Sequence, residues 1–162
     1  MIIIEWIEQL AANGVLVTLL VSMVPVLELR GAIPLGVSLG LTHWQAMAVS
    51  ILGNMLPVPF VVVFVRRLFG WMKQKIPALS GFVARMETKA DSKKELIRRW
   101  QLLGLVALVA IPLPGTGAWT GAVIAGLLNV RKRQAIPAIF IGIILAGILV
   151  TGITYGFTDL LL

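Results

Sequence analysis

The chain contains no cysteine, which excludes disulfides and thiolate chemistry. Its single histidine, His43, leaves no ligand set for a metal centre. No nucleophile–base set and no phosphate-binding loop is present, so the reading is of a protein that is not an enzyme and needs no cofactor. Charge is scarce as well: 13% of the 162 residues are charged and 59% are hydrophobic, with a mean hydropathy of +0.98. That is a membrane composition, of a length that suggests one domain. A basic leader is missing too. The first ten residues, MIIIEWIEQL, carry acids, which argues against a cleavable signal peptide. The net charge of +7 does not mark a nucleic-acid binder, because the bases lie between hydrophobic segments, as in cytoplasmic loops.

What is present centres on Val24–Gly36, VPVLELRGAIPLG. Glu28 and Arg30 are the only acid and base inside any apolar run, and Pro25, Gly31, Pro34 and Gly36 interrupt the helix around them. A charge in hydrocarbon costs about 2.5–3.5 kcal/mol on insertion scales. Such a pair is tolerated where it faces protein interior or water, so this stretch is the first candidate site.

Residues 2–12 read as an amphipathic interfacial helix with Trp6 at the boundary. The run at 14–41 is broken at Glu28–Arg30, and neither part reaches the roughly 20 apolar residues of a span. It is either one kinked helix or a re-entrant hairpin. Residues 45–65 read as a full transmembrane helix, kinked by Pro57 and Pro59 and stopped by Arg66 and Arg67. The stretch 66–100 is the hydrophilic one: ten bases and three acids, interleaved with apolar residues, account for the whole net charge. It is expected to be cytoplasmic, first along the membrane surface and then as a solvated helix.

The segment 102–128 is broken by Pro112, Pro114, Gly115, Gly117 and Gly121, with bases on both flanks. Both flanks prefer the cytoplasm, and two full spans do not fit. A hairpin with arms 102–112 and 118–128 does, each roughly 16 Å long at 1.5 Å per residue. Residues 134–157 form the last span. The expected fold is therefore an all-α integral membrane protein. Two re-entrant hairpins are each followed by a transmembrane helix, as an inverted repeat around a basic amphipathic cytoplasmic segment. Residues 66–100 and 129–133 are cytoplasmic and both termini lie outside the cell (inner) membrane. Paired interrupted segments in inverted halves point to a midplane site in transporters.

At that site Arg30 would bind an anionic group, because guanidinium matches phosphate in a fork. Glu28, withdrawn from water, would carry a coupling proton. Pro114, Gly115, Thr116 and Gly117 form the second tip, where a helix opening near Ala118 would attract an anion. Thr116 would cap that helix or bind the ligand, with Trp119 beside it. Asn54 would line the path or satisfy a tip. The contrasting reading is that Glu28 and Arg30 pair or cap tips and only stabilise the fold.

The motifs ELRGAIPLG (28–36) and PLPGTGAWTGAVIAGLL (112–128) resemble the family named "putative small multi-drug export protein", over nearly the whole chain. The arrangement is also similar to the wider DedA/VTT superfamily, in which two facing re-entrant hairpins each precede a membrane helix. That resemblance implies movement of lipids, including polyprenyl-phosphate carriers, driven by proton-motive force. By it, Glu28 matches the acidic residue of the first hairpin and Pro114–Gly115 the proline–glycine of the second. That superfamily carries arginines around the second motif, where this chain has Thr116 and Trp119. The leading expectation is a proton-coupled transporter or lipid flippase for an amphiphilic, anionic substrate, with membrane lipids as partners and a homodimer completing the cavity. The alternatives are export of hydrophobic cations and a non-transporting membrane scaffold.

Overall fold

The computed structural model describes residues 13–75, 94–113 and 115–156. The interfacial helix expected at 2–12, residues 76–93 of the basic segment, Pro114 and the chain from 157 onward lie outside the described residues. The described residues form helices and no strand: α1 Gly14–Ser22, α2 Glu28–Ser38, α3 His43–Met55, α4 Val58–Lys75, α5 Lys94–Ala110, α6 Ala118–Leu127 and α7 Lys132–Tyr155.

Local chemistry explains most boundaries. The Asn13 side chain accepts a hydrogen bond from the Leu16 N–H at 3.4 Å and starts α1. Thr42 and Gln45 form a reciprocal capping box at the start of α3. The first break falls at 23–27, around Pro25, so Glu28 and Arg30 lie in the opening turn of α2 and not in the break itself. The 45–65 span begins at His43 and is interrupted at Leu56–Pro57, more sharply than a kink. Proline lacks the N–H, and its ring collides with the carbonyl four residues back. The helix does not stop at Arg66–Arg67 but runs on to Lys75, because arginine is a good helix former; the two charges end the apolar stretch, not the helix.

Two stretches are long and apolar enough to cross a membrane: His43–Leu68, 26 residues, and Lys132–Tyr155, 24 residues. Their lengths are roughly 39 and 36 Å, against about 30 Å of hydrocarbon. The apolar helices Trp100–Ala110 and Ala118–Leu127 are shorter. Chain direction reverses between α1 and α2, since a Cβ on Gly14 would lie 3.1 Å from the Leu39 Cβ. α1 packs along α3, and α5 packs along α7. The second arms reach the other half: α6 lies chiefly against α4, and α2 touches α7.

The core is made of small and β-branched side chains. Ile33, Val58, Val62, Val109, Ile139 and Ile143 are buried, with alanines between them. Val109 sits against both Gly121 and Gly142, so α5 approaches α6 and α7 closely. Between apolar helices in lipid, such close packing supplies the attraction. Phe60, Phe64 and Ile153 are 76%, 65% and 72% exposed, an outer surface suited to hydrocarbon. Arg66 donates to the Val130 carbonyl, so the Arg66–Arg67 and Arg131–Arg133 clusters share one end. At the other end of α7, the Tyr155 ring packs against His43, tilted by 43° with ring centroids 4.3 Å apart.

Candidate functional site

The two breaks meet. Glu28 is 5% exposed, and its backbone has φ +43°, a left-handed conformation that L-residues enter at a cost of about 1–2 kcal/mol. This places its carboxylate over the start of α6, where Oε1 accepts the Trp119 N–H at 3.2 Å with the Ala118 amide alongside. Gly117 is the N-cap of α6 and supplies no side chain, so Glu28 caps that helix from the start of α2. The carboxylate thereby meets the positive end of the helix dipole. A Cβ on Gly117, whose φ is +129°, would lie 2.0 Å from Glu28 Oε2; the close approach needs glycine.

Two further bonds cross between the tips. Arg30 Nη2 donates to the Thr116 carbonyl at 2.7 Å and lies 3.5 Å from its hydroxyl. The Trp119 indole N–H donates to the Met23 carbonyl at 3.1 Å. Glu28 and Arg30 thus each reach across to the second tip. The Thr116 hydroxyl does not cap α6. It donates towards the Ile111 and Leu113 carbonyls and accepts the Leu113 N–H, which folds the tip turn. Gly115 has φ +83°, and its carbonyl accepts from the Thr120 hydroxyl.

Beside this clasp lies a cavity with about 10 Å³ for the centre of a water molecule, room for one. Glu28, Arg30, Asn54, Pro112, Gly117 and Ala118 are among its walls. Asn54 is 1% exposed, and neither end of its carboxamide has a hydrogen-bond partner in the protein. The structure therefore brings together Glu28, Arg30, Asn54, Thr116, Gly117 and Trp119; Gly115 stands in the same turn, and Pro114 lies outside the described residues. Sequence reasoning missed Met23, which acts through its carbonyl and leaves no side-chain signal. It also missed Ser50, buried, unpartnered and one turn before Asn54 on α3. A serine and an asparagine four apart in an apolar helix were the available sign.

This arrangement presents one set of amide donors, one carboxylate and one guanidinium. The carboxylate holds the donors that an anion would seek. Among the described residues, no group of His, Cys, Asp and Glu could hold a metal ion. No curated protein and no solved structure matches the chain. The family described as "Putative small multi-drug export protein" matches residues 28–149, from Glu28 just after the first break through the second break and most of α7. That description and the two apolar helices fit a membrane location. With three quarters of its length matched, Glu28, Arg30 and the second tip included, the chain belongs to this family.

Proposed function

We propose that the protein is a proton-coupled membrane transporter or lipid flippase for an amphiphile with an anionic head. α1–α2 and α5–α6 are re-entrant hairpins in this reading, and the two halves are an inverted repeat. What supports it is that four short arms fold back in pairs, each pair precedes a long apolar helix, and the two tips touch. One observation carries the mechanism: the Glu28 carboxylate occupies the amide donors at the start of α6.

As a carboxylate, Glu28 holds the tips together through a charge-assisted bond, roughly twice as strong as a neutral one. A cavity for one water admits no amphiphile, so the clasped form is the closed one. Protonation of Glu28 neutralises the cap and frees the α6 amides. An anionic head group then takes those donors together with Arg30, whose fork suits phosphate. Loss of the proton returns the carboxylate and expels the head group. Proton and anion are bound together because each makes room for the other. Nothing in the cycle breaks a covalent bond.

The test is transport of a fluorescent phosphate-headed lipid in proteoliposomes, with and without a pH gradient. Wild-type transport should rise with the gradient, and Glu28→Gln, which keeps an acceptor for α6, should fold and lose that dependence. Equal transport with and without the gradient in both proteins defeats proton coupling. Arg30→Ala should weaken the anionic lipid by roughly tenfold, the worth of about one charged hydrogen bond, and leave a hydrophobic cation unchanged. The opposite pattern supports cation export, which the family description also allows. Changes in stability alone for both variants support a scaffold.

A further inference from the structure

Buried polar side chains are unevenly distributed about Glu28. Among the described residues they are Thr18 and Ser22 on α1, Glu28 on α2, Ser50 and Asn54 on α3, and Thr151 on α7. α4, α5 and α6 contribute none, apart from the buried Nε of the half-buried Arg66 at the far end of α4; Val58, Val62, Leu105, Val109, Ala122 and Ala125 fill their side. The polar set leads from Glu28 towards one end of the molecule. Asn54 shares the cavity wall with Glu28, and Ser50 lies one turn further along α3. The Ser22 hydroxyl packs against Gly53, and the Thr18 side chain packs between α2 and α3 at Gly36 and Ala46. Thr151 lies one turn beyond Gly147, which faces Met47 and Ile51. The next turns of α3 and α7 bring the His43–Tyr155 contact.

Thr18, Ser22 and Thr151 donate to carbonyls of their own helices and keep lone pairs free to accept. Ser50 Oγ and both ends of Asn54 have no protein partner. Buried polar groups are satisfied by protein or by ordered water. The space at Asn54 admits one water, and a carboxamide beside a carboxylate gives that water both donors and acceptors. A cation would leave the Asn54 N–H groups unserved and would face Arg30.

We infer that Asn54 holds a single water against Glu28, and that Asn54 and Ser50 begin a hydrated polar path by which protons reach Glu28 from the His43–Tyr155 end alone. The route rests on the proton-carrier reading of Glu28; the water site does not. The groups facing Glu28 are Arg30 from its own helix, Asn54 from α3 and the Ala118 and Trp119 amides from α6. α5 and α7 present Val109, Ala146 and Val150, none of which titrates.

The chain has three asparagines, Asn13, Asn54 and Asn129, and the first and last are exposed. In protein labelled at asparagine side-chain nitrogen and held in bilayers, magnetisation should pass from water to the Asn54 amide about as readily as to the other two. Asn54→Leu assigns the signal. Absence of transfer at Asn54 overturns the inference. A second measurement follows the Glu28 carboxyl infrared band after a pH jump, identified by its loss in Glu28→Gln. Asn54→Leu and Ser50→Ala should slow its appearance by about tenfold, the rate equivalent of roughly one hydrogen bond. Val62→Ala, on the apolar side, should leave it unchanged. Unaltered rates in Asn54→Leu and Ser50→Ala overturn the route even where the band titrates. No band lost in Glu28→Gln removes the proton-carrier reading and the route with it; the Asn54 water is then judged by the magnetisation result alone.

Discussion

Glu28 combines three features that local propensity disfavours: burial, a left-handed backbone and a charge deep in an apolar chain. They are offset because its carboxylate serves the start of a helix that has no cap of its own. Gly117 is the complementary residue, with a backbone conformation reserved for glycine and no space for a methyl group. Gly117→Ala should therefore destabilise the fold by about 1–3 kcal/mol. It should also push Glu28 away from Trp119, visible as a lower thermal midpoint and an altered Trp119 signal. An unchanged midpoint would mean that the two tips are not in this contact. Glu28→Ala should cost about 1 kcal/mol or more through loss of the cap, and Glu28→Gln should cost less, because the amide oxygen still accepts.

At the level of helices, side-chain chemistry sets the ends and glycine sets the distances. Loss of the capping box in Thr42→Ala should destabilise α3 by about 1 kcal/mol, read as a shift in thermal unfolding in detergent. Gly53→Ala should cost more. Its Cβ would lie 2.0 Å from the Ser22 hydroxyl and 2.4 Å from the Leu19 carbonyl oxygen, and the backbone of α1 cannot turn aside as a side chain can. Overpacking of this kind costs roughly 1–3 kcal/mol. A Gly53→Ala protein as stable as wild type would show that α1 and α3 are further apart. The break at Leu56–Pro57 lets one apolar stretch run as two helices, and Asn54 stands just before it, where the α3 backbone ends beside the tips.

For the whole molecule, the absence of cysteine makes topology directly measurable, since any introduced thiol is unique. Asn13→Cys and Trp44→Cys, both at exposed positions, should react with an impermeant maleimide from one face of the membrane. Arg67→Cys and Arg133→Cys should react from the opposite face, because Arg66 is tied to Val130 and basic ends favour the cytoplasm. Labelling of Asn13→Cys and Trp44→Cys from opposite faces would mean that the first pair of arms passes through the membrane without turning back.

Composition and periodicity were enough to announce helices, apolar spans and the two interruptions, because hydrophobicity and proline act through neighbours a few residues away. The start of a helix at Ala118 and the lone charged pair were legible for the same reason. Which partners those charges take was not. Glu28 and Trp119 are 91 positions apart, and Arg30 and Thr116 are 86 apart, so no local rule relates them. Packing of the helices around glycines and alanines brings them together. Only that packing decided that Glu28 caps a distant helix, that Arg30 holds a carbonyl, and that Asn54 is left beside a space the size of one water.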